Sequence, residues 1–129
     1  MSDSIIANKT YDFANRIVKL EKYLRKEKHE SIMSKQIFRS GTSIGANVAE
    51  AKYAQSVADF ISKHQISLKE ANETRFWLRL LHDNDYLDDK MFSSLMSDLT
   101  EILSMLVSII KNMKAKSKTP ESLQSQGDE

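Results

Sequence analysis

Apolar positions along this chain recur at alternating steps of three and four in four long stretches. In the first, Ile6, Thr10, Phe13, Ile17, Leu20 and Leu24 keep that spacing, which puts them on one face of a helix predicted over about residues 4–27. A polar connection, Lys26-Glu-Lys-His-Glu30, separates it from a second helix predicted over about 31–53, with Ile37, Gly41, Ile44, Val48 and Ala51 on its seam. Ser56 is a suitable N-cap for a third helix, and Asp59 supplies a carboxylate three residues on. This helix should reach about His82 and bury Phe60, Ala71, Leu78 and Leu81, with His64, Ser67 and Thr74 on the same stripe. The run from Asp83 to Asp89 reads as a turn, with Asp88 capping a fourth helix that carries Leu95, Leu99, Ile102, Leu106, Ile109 and Met113. Four long helices on short links predict an all-α fold, an antiparallel up-down four-helix bundle.

Helices 3 and 4 carry more apolar surface than one seam needs. Met96, Leu103 and Ile110 form a second row on helix 4, with Met105 and Val107 nearby; Ile61, Leu68, Phe76 and Trp77 lie outside the first stripe of helix 3. The expectation is self-association along helices 2, 3 and 4. Helix 2 adds a small-residue face, Ser40-Gly-Thr-Ser-Ile-Gly-Ala-Asn-Val-Ala-Glu-Ala51. Each interior glycine costs a helix roughly 1 kcal/mol relative to alanine, so Gly41 and Gly45 imply a backbone that must approach closely. Gly41, Ile44, Gly45, Val48, Trp77 and Leu81 are therefore the candidate packing and oligomer-contact residues.

Composition narrows the class. The 129 residues include one proline, three glycines and no cysteine. That scarcity of breakers disfavours a strand-and-turn fold, and disulfides and thiolate metal sites are excluded. The domain is expected over 1–115, with a disordered polar tail over 116–129. The N-terminus lacks a basic segment followed by an apolar core, and the most apolar run, Ile102 to Ile110, is about half a membrane span. A cytoplasmic protein with no membrane partner is expected.

Catalytic and metal motifs do not assemble. The histidines are His29, His64 and His82, and none follows a glutamate at the Glu-x-x-His spacing of di-iron bundles. Ser40-Gly-Thr-Ser-Ile-Gly45 lacks the Gly-Lys-Ser/Thr ending and the preceding strand of a phosphate loop. No nucleophile elbow is present. The expectation is a non-enzyme without cofactor, metal or small-molecule substrate. Asn47, Glu50, Glu70 and Glu73 are candidate polar specificity positions, since polar groups in a bundle tend to fix register or partner choice.

A net charge of +1 gives no global case for nucleic acid. Locally, residues 16–39 hold eight basic side chains against three acids, whereas 83–101 hold six acids against one lysine. In an up-down bundle the two links lie at the same end and are placed to neutralise each other in part. A second basic group, including Lys111 and Lys114, lies at the other end. Lys22, Arg25, Lys26, Lys28, Lys111 and Lys114 are the candidate nucleic-acid contacts of a ring that repeats them.

The segment Phe38-Arg-Ser-Gly-Thr-Ser-Ile-Gly-Ala-Asn-Val-Ala-Glu-Ala51 resembles the signature of the four helix bundle proteins related to the 23S ribosomal RNA intervening-sequence protein. Asp59-Phe-Ile61 and Ile66-Ser-Leu-Lys-Glu-Ala-Asn-Glu-Thr-Arg-Phe-Trp-Leu-Arg-Leu-Leu81 are similar to that family's third helix. Proline is common in the family where this chain has Gly45, and glycine where it has Ala51. The resemblance implies a bacterial antiparallel bundle that assembles as a homopentamer. The function expected from the residues and this resemblance together is a non-enzymatic scaffold or macromolecule-binding protein, its partner another copy of itself, with a nucleic acid or protein as a candidate second partner. Some relatives are encoded within insertions in ribosomal RNA genes. Similar proteins accompany the reverse transcriptase of diversity-generating retroelements and bind nucleic acid as basic pentameric barrels. Most members have no established activity.

Overall fold

The computed structural model describes residues 2–117, with side chains from residue 5 onward. The described chain forms α1 (Ser2–Lys26), α2 (Met33–Ala51), α3 (Val57–Asp83) and α4 (Asp89–Ser117). Successive helices pack on one another, and α4 returns to α1 through a slighter contact. Cross-helix pairs run in opposite directions: Arg16 with Asp98 and Lys9 with Glu101 across α1–α4, Ser40 with Thr74 and Ile44 with Ser67 across α2–α3. The expected antiparallel four-helix arrangement follows. Lys116 and Ser117 still belong to α4, so the helix overruns the expected end of the domain; the rest of the expected tail, 118–129, lies outside the described residues.

The helix boundaries have local causes. The carboxylate of Glu30, 6% exposed, accepts the backbone N–H groups of Ile32, Met33 and Ser34 at 2.8–3.0 Å. These are donors that the first turn of α2 leaves without partners. The N–H of Glu30 meanwhile donates to the Leu24 carbonyl at 2.9 Å. One residue thus fastens the end of α1 to the start of α2, in a stretch that reads as a plain polar connection. Ser56 caps α3 by accepting the Asp59 N–H at 3.0 Å, and Asp59 accepts from the Gln55 N–H at 3.2 Å. Asp88 accepts the Met91 N–H at 2.7 Å. At the end of α3 the chain turns through Asp85, at φ 68°, and the Tyr86 and Asp85 N–H groups donate to the Leu81 and His82 carbonyls. This is the paired bonding of a helix closed by a left-handed residue. It sends Leu87, 3% exposed, into the core as an anchor for the link.

The core joins Ile6, Phe13, Ile17, Leu20 and Leu24 of α1 to Ile37, Ile44 and Val48 of α2, Ala71, Leu78 and Leu81 of α3, and Leu95, Leu99, Ile102 and Leu106 of α4. Burying each large aliphatic side chain contributes roughly 1.5–3 kcal/mol. The expected α4 seam is corrected near its end: Ile110 is buried, while Ile109 and Met113 are only half-buried. Phe60, expected inside, is also half-buried. The second rows are partly absorbed by the same protomer, because Leu68, Trp77, Met96, Leu103 and Met105 pack against the core edge. Because α4 runs unbroken for 29 residues, it is long and apolar enough by length and composition to cross a membrane. That exceeds the half-span read from Ile102–Ile110. In this fold its apolar seam forms one wall of the core.

Candidate interaction surface on α2 and α3

The small residues of α2 let it sit between two close neighbours. On one side a β-carbon at Gly41 would meet Ile17 Cγ1 at 2.8 Å, and one at Gly45 would meet the Thr10 backbone oxygen at 3.1 Å. On the other side Ser67 donates to the Ile44 carbonyl at 2.8 Å. The Thr74 hydroxyl donates to the Glu70 carbonyl at 2.8 Å and lies 2.9 Å from the Ser40 hydroxyl. Every residue in these contacts but Gly45 and Glu70 is buried. The expectation that Gly41 and Gly45 set a contact between copies is therefore corrected: the backbone they admit is that of α1 in the same chain. Ile44, Val48 and Leu81 are likewise inside the protomer, at 0%, 5% and 0% exposure. Of the six candidate packing residues, Gly45 and Trp77 are half-buried and the other four lie fully inside.

Trp77 belongs to a second stripe. Ile66, Glu70, Glu73, Trp77 and Leu80 follow the same alternation of four and three as the core stripe one residue along, so they form a neighbouring face of α3. Arg39 of α2 bridges the middle of that face, with Nη1 3.2 Å from Glu70 Oε2 and Nη2 bonded to Glu73 Oε2. Glu73 Oε2 also accepts from Trp77 Nε1 at 3.0 Å. Trp77 meets Phe76 edge to face with ring centroids 5.0 Å apart, and Phe76 is 55% exposed. Toward the other end Glu50 and Lys63 pair at 4.0 Å, and Asn47 donates to the Ser43 carbonyl at 2.8 Å. Glu50, Glu70 and Glu73 thus form ion pairs between α2 and α3, while Asn47 bonds within α2, and none of the four is fully buried. Arg39 and Ile66 complete this face and lie outside the candidate residues that the sequence indicates. The signal for them was available, since Ile66 to Leu80 repeats the heptad of the core stripe.

The basic candidates remain at the two ends. Lys22, Arg25, Lys26 and Lys28 are exposed near the α1–α2 link, and Lys111 and Lys114 are exposed on α4. Arg25 is bonded to Glu21 at 2.9 Å, and its guanidinium holds that carboxyl below its ordinary value. Between the basic and acidic segments Arg16 pairs with Asp98 at 2.6 Å along the helices, and Lys9, outside the basic segment, pairs with Glu101 at 2.6 Å. Among the described residues, no group of three or more histidine or acidic side chains is placed to hold a metal ion.

A family model described as the 23S rRNA-intervening sequence protein matches residues 2–108. The chain belongs to this family. A crystal structure of a protein of unknown function from the S23 ribosomal protein family of Bacteroides thetaiotaomicron VPI-5482 has the same fold, with a TM-score of 0.85. It is 54% identical, over 86% of this chain and 99% of that one. No curated protein matches the chain. Neither the family description nor that of the Bacteroides protein names a catalysed reaction.

Proposed function

We propose that this protein is a non-enzymatic cytoplasmic assembly module, a homopentamer of four-helix bundles that scaffolds or binds another macromolecule. The observation that carries the reading is the second heptad stripe on α3. Ile66 at 40% and Phe76 at 55% exposure flank the ion-paired Glu70, Glu73 and Arg39. An apolar margin around satisfied charges suits a specific helical contact, in which the apolar area supplies affinity and the charges fix register. The copy number of five rests on the family resemblance and on the closed cyclic symmetry usual for such assemblies. The double variant Ile66→Lys/Phe76→Lys tests the surface by sedimentation velocity. A slower, smaller species with unchanged helical circular dichroism is expected; an unaltered sedimentation coefficient contradicts assignment of this face to assembly.

Nucleic-acid binding is the second reading. Lys22, Lys26 and Lys28 are exposed within one short stretch, and the family description refers to a ribosomal RNA sequence. Cyclic repetition would multiply that charge into a ring. Binding to 23S ribosomal RNA fragments should weaken steeply as salt rises. Affinity that is absent at low salt, or indifferent to added salt, contradicts it.

A further inference from the structure

At the end of the bundle where α1 and α3 begin and α2 and α4 finish, a recess of about 630 Å³ opens among Ile6, Val48, Val57, Phe60 and Met113. Its volume falls within the range of about 300–1,000 Å³ common to small-molecule sites. His64 lines this recess and is 2% exposed. Its Nδ1 lies 2.9 Å from the Phe60 carbonyl oxygen, four residues back on the same helix. A carbonyl only accepts, so Nδ1 carries the hydrogen, and in that tautomer Nε2 is the lone-pair acceptor. No described residue bonds to Nε2. The imidazole is also fixed by its contact with the Phe60 ring, with centroids 4.3 Å apart. Nε2 is not among the fully enclosed unpartnered atoms of the described residues, so it stays open to a donor arriving through the recess, whereas leucine at this place would serve the core without offering an acceptor.

We infer that this recess binds a small uncharged amphiphile, an alcohol or phenol, whose hydroxyl donates to His64 Nε2 while the apolar walls enclose its hydrocarbon. The walls decide the ligand's charge state. No aspartate or glutamate lines the recess, so a buried ammonium would have no counter-charge. A carboxylate could pair with Lys52, an exposed residue of the lining, but would bring its own lone pairs against that of Nε2. A hydroxyl meets the acceptor with a donor at no ionic cost, and a ring or short chain matches Phe60, Val48 and Met113. A second groove of about 600 Å³ shares Phe60 and Met113 and continues along α4 past Met105 and Ile109, giving a longer tail a path. The sequence-based expectation of no small-molecule substrate concerns turnover; a bound ligand at this end of the bundle is a separate matter and is independent of the assembly proposed above.

The test uses the full chain in whatever assembly it adopts, with 4-propylphenol and propylbenzene as matched probes that differ by the hydroxyl. Binding is followed by nitrogen-15 NMR of the His64 side chain and by methyl shifts of Ile6, Val48 and Met113. The phenol is expected to bind about tenfold more tightly than propylbenzene, the scale of one net hydrogen bond, and to shift the Nε2 resonance. In His64→Phe, with helicity checked by circular dichroism, that preference is expected to vanish while propylbenzene still binds. Equal affinities in the wild type, no shift at Nε2, or a preference that survives in His64→Phe overturns the assignment. Failure of both probes in the full chain, with binding gained only on truncation after Ser117, also overturns it, since the chain's own end would then fill the recess. The wild-type nitrogen signal decides the matter even if the variant fails to fold.

Discussion

Ile17 Cγ1 stands 2.8 Å from the position a β-carbon on Gly41 would take, closer than β-carbons normally come to any atom. The glycine is thus the space that lets α1 and α2 lie against each other. Gly41→Leu must displace a side chain that is itself fully buried. Overpacking of this kind costs typically about 1–3 kcal/mol or more, and the usual helix-propensity gain on leaving glycine, about 1 kcal/mol, is too small to offset it. Urea denaturation should show a lowered midpoint for Gly41→Leu. The milder Gly41→Ala should couple favourably with Ile17→Ala in a double-mutant cycle. An additive cycle would contradict direct contact between the two positions.

Glu30 should matter more than its place in a polar link suggests. Its carboxylate receives three backbone N–H groups at the start of α2. Glu30→Ala leaves those donors without their partner, at a cost of about 1–2 kcal/mol by analogy with lost N-caps. Hydrogen exchange should accelerate at Ile32, Met33 and Ser34 before the middle of α2 responds. Unchanged exchange at those three amides would contradict the capping role.

The Glu21–Arg25 pair gives a pH dependence of known sign. The guanidinium hydrogen bond lowers the Glu21 carboxyl below its ordinary value, so between the folded and unfolded values the folded chain binds fewer protons. The stabilising increment is therefore complete above the unfolded carboxylate value of about 4.3. It is lost as pH falls through the lowered folded value. As a pair at the protein surface, screened by solvent and salt, it is a small contribution. The difference in thermal midpoint between wild type and Glu21→Gln should be present at neutral pH and vanish in strong acid. A difference that grows on acidification would contradict the assignment.

Much of the fold was legible because its elements obey one period. The α1 seam from Ile6 to Leu24 is buried at every position read from spacing alone, and Ser56 and Asp88 cap the helices they were assigned. Glu30 escaped notice because a long carboxylate serving amides two to four residues ahead lies outside the usual N-cap residue types. Leu87 escaped because a single apolar residue in an acidic turn has no period. The glycine face of α2 was recognised as a close-packing surface, but spacing within one helix does not say which neighbour approaches. α1 takes that face through Ile17 and Thr10, and Ser40 and Ile44 turn to α3. The outward stripe from Ile66 to Leu80 was divided between isolated polar residues and a lone tryptophan. Its heptad emerges once Arg39 is seen to tie Glu70 and Glu73 together.

Assembly through the outer face of α3 is the claim on which the functional reading stands, and solution mass tests it most directly. Light scattering at low micromolar concentration should return about 74 kDa, five copies of a 14.8 kDa chain. A single species near 14.8 kDa that persists as concentration rises would contradict it.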